Sequence, residues 1–312
     1  MTEMRYRPLG RSGLIVSVVG VGCNNFGGRI DLERSRAVVQ AALDAGVTLF
    51  DTADTYGNQG GSETVLGELL ADRRDEVVLA TKFGMDMRGA NGEDHGARGS
   101  RRYIRRAIEA SLRRLRTDHI DLYQYHQPDR VTPVEETLEA MSELVAEGKV
   151  RYIGSSNFAA WQVAEADSTS RERGLARFIS AQNQYSLLDR SVEPELVPAC
   201  ERYGVGILPF FPLANGLLTG KYRRGEPAPP GTRLAARAEV LAEADFDRIE
   251  ALEAFAAQAG RSLLDVAIGG LAARPGVSSV IAGATTPDQV RANAVAGSWV
   301  PSPDEAEQID GL

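Results

Sequence analysis

The sequence predicts an α/β fold: a (β/α)8 TIM barrel with an N-terminal hairpin plugging its base and a long loop after strand seven. Two observations predict it. Eight short, almost continuously apolar runs recur along the 312 residues, as parallel strands buried on both faces require. Amphipathic helical patterns fill the intervals, and β-then-α units in series close most simply into a barrel, whose usual ~250 residues leave room for the additions. The whole of 1–312 reads as one barrel domain, with no internal repeat beyond the alternation.

The elements follow in order. The hairpin is expected over Arg5–Leu9 and Leu14–Ser17, around Gly10–Gly13. Strand one is Val18–Gly22. An open doubly wound sheet would carry a glycine fingerprint here, but Gly20-Val21-Gly22-Cys23-Asn24-Asn25 lacks the third glycine at the required spacing. A helix over Leu32–Ala45 leads to strand two, Thr48–Asp51, and then to strand three, Val77–Thr81. The next helix, about Ser100–Leu115, has an apolar stripe of Ile104, Ile108, Leu112 and Leu115. Arg101, Arg102, Arg105, Arg106, Arg113 and Arg114 flank that stripe and read as a solvated outer face rather than a nucleic-acid patch. Strand four is Ile120–Tyr125. The helix Val134–Glu147 repeats Leu138, Met141, Leu144 and Val145 at helical spacing. Strands five to seven are Val150–Ser155, Ile179–Gln182 and Gly206–Phe210. The stretch Gly225–Gly231 lies in a loop spanning Ala214–Ala244. It reads as a functional loop and not a domain boundary, because strand eight, Val280–Ala282, is still to come. A tail over Ser298–Leu312 follows.

Composition narrows the function. The formal net charge is −8 and the pI about 5.2, against the basic character of a nucleic-acid binder. No apolar run approaches 18 residues, so no membrane span is expected. Met1 to Gly10 lack the apolar core of a secretory leader, and Cys23 and Cys200 cannot build a disulfide framework or a structural zinc site. The expectation is a reduced, cytoplasmic protein without a metal. Of 35 basic residues only Lys82, Lys149 and Lys221 are lysines. A lysine kept in so arginine-rich a chain marks a place where arginine cannot serve, since only lysine shifts its pKa and loses its proton.

In a barrel the chemistry sits at the C-terminal ends of the strands. Strand two ends in Asp51, with Tyr56 five residues on; strand three ends in Thr81-Lys82 and strand four in Tyr125-His126. A buried lysine and aspartate keep each other ionised. A tyrosine beside that ammonium should have its pKa drawn down from ~10, making it a proton donor to a carbonyl oxygen that the histidine also contacts. The set suits reduction of C=O to CH–OH, with the hydride supplied by a cofactor. A barrel glycosidase would need two facing carboxylates, but strands four and seven end in His126 and Phe210. A metal hydrolase would need histidine clusters, but the other two histidines stand apart: His119 before strand four, and His95 in a glycine-rich loop. A Schiff-base lyase through Lys82 stays open, though it leaves Asp51, Tyr56 and His126 unexplained.

These residues resemble the aldo-keto reductase family over nearly the whole chain. Phe50-Asp51-Thr52-Ala53-Asp54-Thr55-Tyr56-Gly57 is similar to its strand-two signature, Leu122-Tyr123-Gln124-Tyr125-His126 to its strand-four signature, and Lys149 through Phe158 to its strand-five one. Gln182-Asn183-Gln184-Tyr185-Ser186 and Gly216 through Tyr222 fit as well. The resemblance implies a carbonyl reductase that binds NADPH without a dinucleotide fold, with Asp51, Tyr56, Lys82 and His126 catalytic. It implies that Ser156, Asn157 and Gln182 hold the nicotinamide carboxamide and Phe210 stacks on the ring. Phe211, Pro212, Leu213 and Asn215 would follow the pyrophosphate, with Lys221 as its cation. Arg233, Gly283, Thr285, Gln289 and Asn293 would take the adenosine half, and Gly22 joins the same cofactor set. Asn24, Asn25 and Phe26, with the loop Met85–Ser100, would wall the pocket for a small-molecule carbonyl; Trp299 is expected against the barrel wall. The chain departs from the family pattern after strand eight, where Gly283-Ala284-Thr285-Thr286-Pro287-Asp288 holds no cation for a 2′-phosphate and Arg291 is the nearest substitute. NADPH is therefore expected over NADH by a reduced margin, with NADH as the alternative. A cofactor-holding regulatory subunit, like the channel-associated members, is a further reading. The natural substrate and the oligomeric state are not legible.

Overall fold

The computed structural model describes residues 4–312. The leader-free reading of the first ten residues, and the barrel reading of 1–312, thus fall in part on residues 1–3, outside the described residues. The hairpin is β1 (Tyr6–Pro8) and β2 (Ile15–Ser17), antiparallel with Tyr6 opposite Ser17. Eight parallel strands follow: β3 (Val19–Gly22), β4 (Leu49–Asp51), β5 (Val78–Phe83), β6 (Ile120–Tyr125), β7 (Val150–Ser156), β8 (Phe178–Gln182), β9 (Gly206–Ile207) and β10 (Val280–Gly283). They pair in the order β10-β3-β4-β5-β6-β7-β8-β9. The last seam is closed by single bonds. Ile207 N–H donates to the Gly276 carbonyl at 2.8 Å, Ser278 N–H to Ile207 at 2.9 Å and Ile281 N–H to Pro209 at 3.0 Å. The expected (β/α)8 barrel is thus formed.

Strand seven is shorter than Gly206–Phe210 because Pro209 has no N–H to give a ladder. Leu208 and Phe210, on either side, still donate singly to Ala181 and Asn183, each at 3.0 Å. Strand three is longer than expected and carries Lys82 inside it.

The helices are α1 (Leu32–Asp44), α2 (Tyr56–Leu69), α3 (Arg101–Leu115), α4 (Val134–Ala146), α5 (Ala160–Arg173), α6 (Leu196–Tyr203), α7 (Ala238–Ala242), α8 (Phe246–Gln258), α9 (Leu263–Asp265), α10 (Pro287–Ala296) and α11 (Pro303–Gly311). Their starts are written in the sequence. Asp31, Ser100 and Thr286 accept the backbone N–H of Arg34, Tyr103 and Gln289, and Ser302 forms a reciprocal box with Glu305. Three of the six arginines of α3 pair with carboxylates: Arg101 with Glu139 and Glu143, Arg105 with Glu143 and Glu147, and Arg114 with Glu63 at 2.6 Å. The loop after β9 is not wholly irregular, since it winds a tight turn over Ala214–Thr219 and forms α7. Among the described residues no helix is long and apolar enough to cross a membrane.

Leu9 and Val16 of the hairpin pack with Leu49, Ala80, Leu122, Leu208 and Ile281 inside the barrel base. The plug fits only because residue 10 is glycine: its φ is +56°, and a Cβ there would stand 2.6 Å from the Gly204 carbonyl oxygen. Two arginines fasten it. Arg7 donates to the carbonyls of Ala272 and Val277 at 2.9 and 2.8 Å, and Arg5 to Gly297 at 2.7 Å. Trp299 is buried among Leu252, Leu263 and Val266, on the outer wall as expected.

Candidate active site

Asp51 ends β4, Lys82 sits within β5 and His126 follows β6, so register alone brings the three to one rim. Lys82 is fully buried. Its Nζ donates to Asp51 Oδ2 at 2.6 Å and to the Thr52 carbonyl at 2.8 Å. Asp51 Oδ1 accepts from Gln182 at 2.9 Å and Gln124 at 3.2 Å. Tyr56 lies against this pair, with Nζ 5.0 Å from its ring centroid, and meets His126 edge-on at 5.8 Å. The turn that places Tyr56 is left-handed: Gly57, Asn58, Gln59 and Gly60 all have positive φ. For Asn58 and Gln59 that conformation costs about 1–2 kcal/mol each. The neighbouring backbone does not permit a residue larger than glycine at 57, where a Cβ would be 2.5 Å from the Phe26 carbonyl oxygen.

The electrostatics correct two expectations. Burial pushes the Tyr56 phenol above its ordinary value; Lys82 pulls it back, but by less. Asp51, 2.6 Å from the ammonium, offsets part of its pull, and with burial the larger effect Tyr56 holds its proton instead of approaching phenolate. Lys82 is likewise not kept in order to deprotonate. Burial lowers its pKa, yet Asp51 and Tyr56 more than offset this, and it lies above the ordinary lysine value. What arginine could not match is the compact ammonium, not a mobile proton. Burial, then the Lys82 charge, hold His126 well below 6.5, so its imidazole is neutral; Nδ1 is buried without a partner among the described residues. Burial, then Asp51, push the Cys23 thiol well up, which leaves it inert.

Beside this group opens a cleft of about 830 Å³, within the usual size of a ligand pocket. Asp51, Tyr56 and His126 line it; Lys82 stands behind them. Every residue expected to hold a cofactor also lines it: Gly22, Ser156, Asn157, Gln182, Phe210, Phe211, Pro212, Leu213, Asn215, Lys221, Arg233, Gly283, Thr285, Gln289 and Asn293. Asn157, Phe211 and Asn215 hold positive φ, a strain that concentrates where a site is shaped by its surroundings. Arg233 lies 5.1 Å from the Phe211 ring centroid. Lys221 crosses Gly216, where a Cβ would meet Nζ at 2.9 Å.

Some residues stand elsewhere. Phe26 is wholly buried in the core and supports the turn after Tyr56 from behind, so it does not face substrate, whereas Asn24 and Asn25 do line the cleft. Of Met85–Ser100 only Met85 reaches the cleft. The rest is tied down: Asn91 donates to Asp54 at 3.1 Å and to Tyr103 at 3.3 Å, and Arg98 to Asp94 at 3.0 Å. Arg291 points away, paired with Asp288 at 3.0 Å. Sequence reasoning missed Arg29. Its backbone N–H and that of Ile30 both donate to the Asn25 carbonyl, and this turn brings its guanidinium to the Gly231 carbonyl at 3.3 Å across the cleft mouth. The Gly27-Gly28 step before it was the available signal. Arg29, Lys221 and Arg233 thus line the cleft with no carboxylate partner among the described residues, while Arg223 and Arg224 nearby are paired with Glu253 and Glu250. Three cations without carboxylate partners in one cleft of an acidic protein have the charge to hold a polyanion.

A closed eight-stranded barrel carrying this rim group and a cation-lined cleft defines a member of the aldo/keto reductase family, and the chain belongs to it: the family's sequence pattern matches residues 18–312. The chain is 40% identical to an uncharacterised oxidoreductase of Bacillus subtilis, over 92% of this chain and 89% of that one. It is 37% identical to a probable voltage-gated potassium channel subunit beta of Oryza sativa subsp. japonica, over 99% and 96%. It is 35% identical to L-glyceraldehyde 3-phosphate reductase of Escherichia coli (strain K12), over 99% and 92%.

Proposed function

We propose that this protein is a single-domain NADP(H)-dependent reductase that converts an aldehyde or ketone to the alcohol, with Tyr56 as proton donor. The observation that carries the reading is the junction of two features: a protonated phenol over a buried ion pair, at one end of a cleft whose other walls hold three unpaired cations. The cleft residues fit a dinucleotide. Lys221, Arg233 and Arg29 would bind its phosphates, Phe210 would face its nicotinamide ring, and Ser156, Asn157 and Gln182 would take the carboxamide. When bound, that cofactor supplies the hydride.

The chain's own residues do the rest. Tyr56 Oη and the neutral His126 would both donate a hydrogen bond to the carbonyl oxygen, orienting it and polarising C=O. As negative charge gathers on that oxygen, Tyr56 passes it a proton. The phenolate left behind is stabilised by the Lys82 ammonium, which Asp51 holds in place. A phenol that is protonated at rest and beside a cation when it ionises serves this role well. Asn24, Asn25 and Met85 would contact the substrate. The test is a panel of carbonyls assayed with NADPH and NADH. It should include a short phosphorylated aldehyde, because the Escherichia coli relative carries that activity in its name. Steady cofactor oxidation supports the proposal; tight cofactor binding without turnover on any member would favour a regulatory role, as the name of the Oryza relative suggests.

A further inference from the structure

Gln124 lies in β6, wholly buried inside the barrel and behind the cleft wall. The signature that contains it assigned it no task. Its Nε2 donates to Asp51 Oδ1 at 3.2 Å, and its Oε1 accepts from Gln182 Nε2 at 3.3 Å. Gln182 Nε2 also donates to Asp51 Oδ1, at 2.9 Å, while Lys82 occupies Oδ2. An ionised carboxylate only accepts, so both amides must turn their nitrogens toward Asp51. Gln124 then has its oxygen free for the second N–H of Gln182. With both N–H groups committed, Gln182 has only Oε1 left, and that oxygen has no protein donor among the described residues. Gln182 lines the cleft, so what it offers there is an acceptor.

We propose that Gln124 is a positioning residue: by bridging Asp51 and Gln182 it holds the Gln182 carbonyl oxygen toward the cleft, and so selects a cofactor ring whose substituent donates an N–H. The inference rests on the cleft being a nicotinamide site. It also ties that site to the proton-donor pair, because Asp51 serves both. Space around Gln124 is tight: a Cβ on Gly154 would stand 3.3 Å from its Cγ. Methionine, similar in length, is therefore the substitution that removes the bonds with least disturbance. Gln182 would keep its bond to Asp51 but lose the partner that fixes its rotation.

The experiment is calorimetric titration with NADPH and with its reduced 3-acetylpyridine analogue, whose methyl ketone has no N–H. Wild type, Gln124→Met, Gln124→Leu, Gln182→Met and the Gln124→Met/Gln182→Met double variant are compared. Wild type should bind NADPH more tightly than the analogue by about threefold to tenfold, the value of one hydrogen bond. Both Gln124 variants should bring that ratio close to one, as Gln182→Met does, and the double variant should go no further. Melting temperatures are read alongside, because a purely structural role would move them and leave the ratio intact; Gln124→Leu carries the test if the methionine variant does not fold. An undiminished ratio in both Gln124 variants overturns the inference, as does a wild-type ratio of one. A wild type that binds neither cofactor overturns the nicotinamide reading itself, and the inference with it.

Discussion

Replacing Lys82 with methionine removes the cation from a pair that water does not reach, since Lys82 is 0% and Asp51 2% exposed. The 2.6 Å bond to Asp51 and the 2.8 Å bond to the Thr52 carbonyl both disappear. Asp51 keeps its amide donors Gln124 and Gln182, but no countercharge. Breaking one side of a buried ion pair costs about 3–5 kcal/mol. Because the amide N–H groups of Gln124 and Gln182 still face the stranded carboxylate, the loss falls in the lower part of that range, about 3 kcal/mol. Asp51→Asn alone strands the ammonium and should lose a similar amount. The double variant buries no charge and should lose only about 1–2 kcal/mol, mostly from repacking. The coupling between the sites is then about 4 kcal/mol, far above the few tenths expected of independent positions. Urea unfolding at neutral pH measures it, with equal slopes for all four proteins confirming comparable transitions. A Lys82→Met loss below about 1 kcal/mol, or a double variant that loses the sum of the singles, would refute the account of this pair as mutual neutralisation in a dry interior.

Tyr56→Phe should lower kcat by about 10²–10⁴-fold while the cofactor Kd holds; near-normal turnover would remove Tyr56 from the reaction. Lys82→Arg should also be badly impaired, because a forked guanidinium cannot sit between Asp51 and Tyr56 as the ammonium does; steady-state kinetics decide it. Thr285→Arg should widen the preference for NADPH over NADH, read as the ratio of their dissociation constants. Position 285 is the better choice because Thr286 caps α10, and losing that cap costs about 1 kcal/mol. Burial, then Glu63, hold the Asp54 carboxyl well above its ordinary 3.8. A raised folded pKa contributes stability that is full below the ordinary value and lost as pH climbs from there toward the folded pKa. Asp54→Asn should therefore gain stability relative to wild type at pH 7 and lose that advantage near pH 3; an equal effect at both pH values would contradict the shift.

The sequence made the barrel legible because strands buried on both faces are rich in apolar and aromatic residues, and the runs expected at Ile120–Tyr125 and Val150–Ser155 match the observed strands to within a residue, although each carries polar residues such as Gln124 and Arg151. Asp51, Lys82 and His126 were readable for the same reason: a polar or charged residue at the end of such a run has nowhere to go but the rim. Tyr56 was readable only through its neighbours, since its placement depends on four successive left-handed residues that no periodicity announces. Phe26 was misplaced because the turn that turns it inward is set by contacts with Gly57 and Gly61, distant in sequence. The direction of the Tyr56 shift was missed because its proximity to Lys82 is visible in the sequence, whereas the burial of the phenol, which is the larger effect, depends on the folded turn. Arg29 escaped because it reaches the cleft by a turn and gains its meaning from Gly231, two hundred residues away.

The arginine clasp on the hairpin has a bearing on how the chain reaches this structure. Arg5 and Arg7 bond to carbonyls 292 and 265–270 positions further along, so elements made early find their partners among elements made much later. At ordinary synthesis rates of about 5–20 residues per second, the hairpin waits roughly 10–50 s for the segment that receives it. During that interval Leu9 and Val16 have an unfinished base to pack into, because the seam of β9 and β10 does not yet exist. The thermodynamic penalty for joining such remote segments grows only logarithmically, by about 2 kcal/mol over a loop a tenth as long. The kinetic burden is the larger one: docking of the plug is a late event, and a growing chain carries exposed barrel interior until its final strand arrives. Pulse-labelled amide exchange during refolding should accordingly protect Leu9 and Val16 together with Ile281, and after the strands from β5 to β7.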